Sequence, residues 1–312
     1  MTASANFAPE GVSGGRPPSP GTLEETQVRA MFDRIAGLYD RMNTVMTAGL
    51  HHHWRRRAAD LAQCKPGDSA LDVATGTGDL ALELCARVAP GGSVIGVDFS
   101  EQMLALARVK QSAYATGPRA VALRFEIANA LSLPYGDDEF DAATVGFGAR
   151  NFSDLQQGLR EMARVVKPGG RVVVLEITNP QRPPLSTFFE LWFDRLVPAL
   201  GRLAGDAQAY SYLPSSVRRF PGPEALAGVM SRCGLTRIRY LITAGGIIAL
   251  HVGEVGEAYL RAFGEWVLRW ERDHEALAEQ VAALESGGLY PRLGDVLECD
   301  REMQFAGADA CR

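Results

Sequence analysis

Cysteine is sparse in this 312-residue chain: five occur, Cys64, Cys85, Cys233, Cys299 and Cys311, far apart and with no Cys-x-x-Cys pair. An odd set at such spacing argues against a disulfide framework or a zinc ribbon and fits a reducing compartment. Lysine is sparser still, with Lys65, Lys110 and Lys167 the only three, so arginine supplies most of the 32 basic side chains. Against 37 acidic residues the formal net charge is -5, and the chain lacks the basic face expected of a nucleic-acid partner. No apolar run approaches the ~18 residues of a membrane span, and the first residues have neither the basic start nor the apolar stretch of a secretory signal. These absences predict a soluble, cytoplasmic protein with no nucleic-acid partner. What remains is of globular composition, 46% hydrophobic and 22% charged, which excludes a wholly disordered, collagenous or coiled-coil chain.

The length suits one α/β domain of about 200 residues with appendages. Residues 1–26 are rich in Pro, Gly and Ser with almost no apolar periodicity, which predicts a disordered tail. From Gln27, Met31, Phe32, Ile35, Leu38 and Tyr39 recur at helical spacing, and a second helix is predicted through Trp54 to Leu61, so residues 27–64 form a helical arm. Residues 65–253 then alternate β-rich and helical runs. Strands are predicted over Ala70–Ala74, Ser93–Val97, Leu123–Ile127, Ala142–Phe147, Arg171–Ile177, Thr236–Leu241 and Ile247–Val252, with helices starting near Asp79, Ser100, Asp154 and Pro223. Such alternation predicts a doubly wound parallel sheet with ligands at the carboxyl ends of its strands. Residues 180–220 interrupt the rhythm as an inserted helical lid, in which Leu185, Phe188, Phe189, Trp192, Phe193, Leu196, Leu200 and Leu203 make a broad apolar stripe. Residues 254–312 form a C-terminal extension, partly helical.

The run Leu71-Asp72-Val73-Ala74-Thr75-Gly76-Thr77-Gly78-Asp79-Leu80 reads as strand, tight turn and helix start. Gly76 and Gly78 permit a close backbone approach, and the following helix points its N-terminus at whatever binds there. Asp98 lies about twenty residues on, at a strand end suited to ribose hydroxyls. The same turn serves nicotinamide, flavin and S-adenosylmethionine enzymes. Between Lys65 and Arg87 there is no basic residue, whereas Asp68, Asp72, Asp79 and Glu83 are present; a pyrophosphate would meet negative charge there, and a sulfonium would be welcome. Asp72 and Asp79 as simple caps remain the alternative. Asn129-Ala130 follow the third strand, where an Asn side chain offers donor and acceptor to an adenine edge or merely closes a turn. The consecutive His51, His52 and His53 point about 100° apart on a helix and should not converge on one ion, so no metal site is expected.

Several longer motifs occur in one order. Tyr39-Asp40-Arg41-Met42-Asn43 with His51 and Trp54, and Arg164-Val165-Val166-Lys167-Pro168-Gly169-Gly170 running on to Glu176, resemble the two signatures of the UbiE/MenG type C-methyltransferases of ubiquinone and menaquinone biosynthesis. Between and after them, the runs Leu71–Leu80, Asn129-Ala130, Gly146–Asn151, Tyr210–Ser216 and Gly245–His251 also match, so the resemblance spans roughly residues 27–253. Thr47 and Thr178 stand where serine is expected, and position 146 is Gly where some relatives have serine.

The resemblance implies an α/β fold of the class I S-adenosylmethionine-dependent methyltransferase type: a Rossmann-like, doubly wound seven-stranded sheet with the helical arm, lid and C-terminal segment attached. It implies methyl transfer from S-adenosylmethionine to the ring of a polyprenyl hydroquinone, with demethylmenaquinol the expected acceptor. By motif, Asp98 would accept from the ribose hydroxyls, Asn129 and the Ala130 backbone would face adenine, and Thr77 would lie beside the methionine part. Gly76, Gly78 and Asp72 complete the cofactor-binding set, with Tyr39 on an arm over the cofactor or, alternatively, as a half-buried anchor. Arg150 and Asn151 follow the fourth strand, where this fold places the acceptor. An arginine facing a hydroquinone oxygen would stabilise its developing charge without acting as a base, while a plain ion pair is the alternative for Arg150. An isoprenoid acceptor also implies peripheral membrane contact, with part of the 185–203 stripe as lipid-tail groove, and a homo-oligomer is left open. The rival readings are another S-adenosylmethionine-dependent small-molecule methyltransferase, a nicotinamide dehydrogenase and a noncatalytic cofactor-binding scaffold.

Overall fold

The structure is a computed structural model and describes residues 25–111, 121–180, 185–191, 207–256 and 274. The predicted tail falls outside these residues except at its end, where helix α1 (Glu25–Thr47) already begins. Nearly all of the C-terminal extension and much of the predicted lid, including Trp192, Phe193, Leu196, Leu200 and Leu203, also lie outside them. Helix α2 (Leu50–Ala62) follows α1 across Ala48 and Gly49, whose φ of 49 and 76 turn the chain sharply. His51, Trp54, Arg55, Ala58, Ala59 and Ala62 of α2 are buried, the i, i+3, i+4 pattern of a helix that packs one face.

The body alternates as its sequence suggests: β1 (Ser69–Val73), α3 (Asp79–Val88), β2 (Ser93–Asp98), α4 (Glu101–Gln111), β3 (Ala122–Ile127), β4 (Phe140–Gly146), α5 (Leu155–Val165) and β5 (Val166–Ile177). After them come α6 (Leu185–Leu191), α7 (Ala207–Arg219), α8 (Pro223–Arg232), β6 (Leu235–Thr243) and β7 (Ile248–Val255). The seven strands form one sheet in the order β3-β2-β1-β4-β5-β7-β6. Strands β1 to β5 pair in parallel, but β7 runs antiparallel to both β5 and β6. The sheet is therefore mixed and not all parallel as the alternation predicts. Its physical reason is the link Ala244–Ile247, far too short for the crossover that a parallel strand requires, so β6 and β7 close as a hairpin.

Helices cover both faces. Ala70, Val94, Ala142, Val173 and Leu250 belong to a buried cluster with Trp54 and Ala58 of α2, Leu84 of α3 and Leu104 of α4. Leu71, Val73, Ile95, Val145 and Val174 join Leu159 and Met162 of α5 and Met230 of α8 in a second. Neighbouring strand residues thus serve opposite layers, which is why β1 reads as a continuous apolar run broken only by Asp72. At the start of α3, a Cβ on Gly78 would lie 2.7 Å from the Phe125 ring, at a φ of 84, so only glycine lets the turn and α3 seat this closely. No helix among the described residues is long and apolar enough to cross a membrane.

Candidate active site

Strands β1 and β4 lie side by side, while the chain leaves β1 toward β2 and leaves β4 toward β5, so a crevice opens beyond their carboxyl ends. Both ends carry backbone that side chains seldom adopt: Ala74 has φ 51 and Phe147 has φ 61. Gly148 explains part of the closeness, since a Cβ there would sit 2.6 Å from that of Ala74. Strain concentrated where two strand ends meet is a mark of a constructed site.

A cleft of about 930 Å³ occupies the crevice, lined by Val73 to Thr77, Asp98, Phe99, Ala128 to Leu131 and Gly146 to Gly148. Of the cofactor residues expected from the sequence, Asp72, Gly76, Thr77, Asp98, Asn129, Ala130 and Tyr39 line this cleft. Gly78, the exception among lining residues, ends the turn and holds α3 in place. Asp98, at the end of β2, is 6% exposed. Its Oδ2 accepts from the Gly76 backbone at 2.8 Å and its Oδ1 from that of Ser100 at 2.9 Å. Each oxygen keeps a second lone pair, and burial pushes the carboxyl up to about 6 despite those N–H groups. Asn129 is exposed in the cleft wall and its Oδ1 accepts from Leu131 N at 2.9 Å, so lining the cleft and closing a turn coexist.

Asp72 lies beneath the turn and is 1% exposed. Its oxygens accept from the hydroxyls of Thr75 and Thr144, both at 2.6 Å, and burial pushes its carboxyl up to about 6. That carboxylate braces β1, β4 and the turn. Thr77 is also engaged, its hydroxyl donating to Asp40 Oδ1 at 2.7 Å and accepting from Lys110 Nζ at 2.9 Å. Lys110 reaches Asp79 at 2.5 Å and Asp40 at 2.7 Å, while Arg55 lies 3.5 Å from Asp79. Burial would raise the Asp79 carboxyl, but Arg55 and Lys110 outweigh it and hold it below its ordinary value. The local run therefore misleads on charge: the turn is not simply acidic, because cations from α2 and α4 neutralise Asp79. Neither was legible in residues 65–87, and their effect also clamps α1 to the body through Asp40.

Tyr39 of α1 stands where this cleft meets a second, larger cavity, its ring edge-on to Phe32 with centroids 6.1 Å apart. The second cavity spans about 1810 Å³, part of it open to solvent, and is walled by apolar side chains: Met31, Ile35 and Met42 of α1, Trp54 of α2, Phe189 of α6, Leu213 of α7 and Ile247 and Ile248 where the β6–β7 link enters β7. Phe147 faces both spaces, with Trp54 edge-on at 6.4 Å and the Arg55 guanidinium 5.5 Å from its ring. Phe189, from the predicted lid stripe, is buried on Val217.

Asn151 lines both spaces, and Arg150 beside it lines the apolar one. Arg150 is almost fully buried, with Nη1 donating to Glu176 Oε2 at 2.9 Å and to Phe147 O at 2.6 Å. The Glu176 carboxylate also accepts from the Arg150 backbone at 3.2 Å. Burial opposes the charge of Arg150, yet Glu176 outweighs it and raises the guanidinium above its ordinary value. The plain ion pair is thus present, but Arg150 Nε is buried with no hydrogen-bond partner, and the residue lines the apolar cavity. Asn151 Oδ1 accepts from Tyr212 OH at 3.3 Å, tying α7 to the same boundary.

The histidines differ from expectation. The His51 and His52 rings lie 3.9 Å apart, and one ligand atom from each falls within 4.8 Å of the other and of Asp79. The cation found there is Arg55, which donates to His51 Nδ1 and pairs with Asp79; a metal ion would meet a fixed positive charge. Burial first, then Arg55, lowers His51 to about 4. His51 is therefore neutral, with Nε2 facing Thr44 Oγ1 at 3.2 Å, and it secures the corner between α1 and α2.

Known proteins resemble this chain in sequence and in fold. The demethylmenaquinone methyltransferase of Thermus thermophilus is 47% identical over 225 residues, 72% of this chain and 99% of that protein. The ubiquinone/menaquinone biosynthesis C-methyltransferase UbiE of Geobacter sulfurreducens is 40% identical, over 75% of this chain and 91% of that one. Among solved structures, a SAM-dependent methyltransferase from Thermotoga maritima has a TM-score of 0.50 at 20% identity, covering 72% and 98% of the two chains. The [4+2]-cyclase SpnF has a TM-score of 0.54 at 18% identity, covering 74% and 96%. These last two share the fold, and their different reactions show that the sheet alone does not set the chemistry. The profile of the ubiE/COQ5 methyltransferase family matches residues 21–255, from just before α1 to the end of β7, and the chain belongs to that family.

Proposed function

We propose that this chain transfers a methyl group from S-adenosylmethionine to a ring carbon of a polyprenyl hydroquinone, demethylmenaquinol in particular. The observation that carries the reading is the meeting, at Tyr39, Phe147 and Asn151, of two spaces: a cleft with the Asp98 carboxylate in its wall and a more apolar cavity lined by Arg150, whose charge is balanced by buried Glu176. The cleft suits the nucleoside. Asp98 retains acceptor capacity for ribose hydroxyls, Asn129 and Ala130 flank the place for adenine, and the Gly76–Thr77 backbone opens on the methionine side. S-adenosylmethionine, when bound, supplies an electrophilic methyl on sulfur. The chain's own residues position and polarise the acceptor: Tyr39, Phe147 and Trp54 confine a flat ring, and Arg150 offers guanidinium donors to a hydroxyl losing its proton. As water takes that proton, charge on the oxygen makes the adjacent ring carbon nucleophilic and a fixed cation stabilises it most in the transition state. After the methyl is on the ring, the ring carbon gives up its own proton to water and aromaticity is restored. Asp72 and Thr77 act through the turn and the arm. The names of the relatives support a quinone acceptor, and the apolar cavity has room for the first units of its tail.

Calorimetric titration with S-adenosylmethionine, S-adenosylhomocysteine and NAD tests the cleft. The first two are expected to bind and NAD not to; NAD binding alone would instead support a dehydrogenase. Asp98→Ala should weaken S-adenosylmethionine binding by about 1–3 kcal/mol, the cost of losing charge-assisted hydrogen bonds. The pH dependence has a definite sign. Ribose hydroxyls favour the ionised carboxylate, so bound ligand lowers the pKa of Asp98 from about 6. Affinity should be constant above that pH and fall as pH drops below it, and Asp98→Asn should flatten the profile. An unchanged affinity in Asp98→Ala would remove the ribose assignment.

A further inference from the structure

We infer that the corner between α1 and α2 is a docking surface for an anionic lipid bilayer, which feeds the tail of the acceptor into the apolar cavity. This inference rests on the acceptor reading above. Although the whole chain is acidic, residues 41–59 hold four arginines and three histidines and no Asp or Glu. Arg41, His52, His53, Arg56 and Arg57 are exposed. Arg56 is 61% exposed, with Glu83 3.9 Å away in a solvent-screened pair of little strength. On the same two helices Val45, one turn beyond Arg41, is 65% exposed, and Leu50, one and two turns before His53 and Arg57, is 52% exposed; both also line the apolar cavity. The cavity therefore reaches solvent at aliphatic side chains that share helix faces with Arg41 and Arg57.

That pairing selects the occupant. Cations near an anionic leaflet attract its surface, and aliphatic side chains beside them enter the boundary between headgroups and acyl chains. A nucleic acid would use the charges but gain nothing from Val45 and Leu50, and a hydroquinone with an isoprenoid tail resides in a bilayer. The stripe of the predicted lid is a weaker candidate, since Phe189 turns inward onto Val217.

The test uses the full chain with extruded vesicles of phosphatidylcholine containing phosphatidylglycerol, of phosphatidylcholine alone, and no quinone. Co-sedimentation is expected with the anionic vesicles only, weakening as salt rises. Arg56→Glu/Arg57→Glu should bind them at least about tenfold more weakly, with unchanged turnover of a short-tailed, water-soluble hydroquinone, because these residues line neither cavity. If the pair does not fold, as judged by S-adenosylmethionine binding, Arg41→Glu at the same corner carries the comparison. Absence of binding to anionic vesicles, binding unchanged by charge reversal, or tighter binding to duplex DNA than to vesicles would overturn the proposal. A wild-type chain that binds vesicles as described but methylates no short-tailed hydroquinone would instead refute the acceptor reading and leave the surface standing.

Discussion

Arg150→Ala should lower kcat by about 10²-fold or more while leaving S-adenosylmethionine affinity nearly unchanged. A group that stabilises charge mainly in the transition state affects kcat and kcat/KM together and contributes little to ground-state binding. Arg150 meets the structural requirement, being fixed by Glu176 and the Phe147 carbonyl and lining the acceptor cavity. Lysine should restore only part of the rate, since its point charge lacks the planar fork that reaches Glu176 and the acceptor together. Because alanine also strands the Glu176 carboxylate, folded fraction must be measured by cofactor titration alongside the rate. A fully active variant removes Arg150 from the catalytic residues.

Glu176→Ala should lower stability by about 3–5 kcal/mol, because it leaves a buried guanidinium without its counter-charge. Glu176 is 1% exposed and accepts from Arg150 at two atoms and from its own neighbour Ile177 N at 3.0 Å. Glu176→Gln keeps acceptor atoms in place and should lose less. Denaturant unfolding of the two single variants and of Arg150→Ala/Glu176→Ala completes a cycle, in which the double variant should lose clearly less than the sum of the singles. A loss below about 1 kcal/mol in Glu176→Ala would mean that another group compensates Arg150. Glu176 does not line the cavity; in the proposed reaction it would act through Arg150, as a positioning residue.

The contrast between these residues and Asp98 indicates what a sequence makes legible. Asp98, Gly76 and Gly78 belong to one strand–turn–helix–strand unit, where spacing alone dictates that a carboxylate faces a glycine turn, and the structure places Gly76 N on Asp98. The strands likewise follow from local β-rich runs between helical ones. Direction does not, because a strand's residue pattern is the same read either way; the four-residue link Ala244–Ile247 held the only signal that β7 reverses. Charge compensation is less legible still. Arg55 and Lys110 reach Asp79 from 24 residues before it and 31 after it, and Glu176 reaches Arg150 across 26 residues. Such pairs depend on where α2, α4 and β5 end in space, and no local window contains that information. Convergence of His51 and His52 was hidden for the opposite reason: a helical wheel fixes Cα directions, whereas flexible imidazoles can bend toward each other, as these two rings do at 3.9 Å.

The most direct measurement is transfer of a labelled methyl group from S-adenosylmethionine to demethylmenaquinone by the purified chain, under anaerobic conditions with and without dithionite, with the product identified by mass spectrometry. The oxidised ring is an electrophile and cannot attack a sulfonium carbon, whereas the hydroquinone is electron-rich at the carbon beside its ionising hydroxyl. Labelled menaquinone, bearing the methyl on a ring carbon, is expected only with the reductant present. Equal methylation of the oxidised quinone, label on oxygen, or no transfer to the reduced quinone by a chain that binds S-adenosylmethionine would contradict the account.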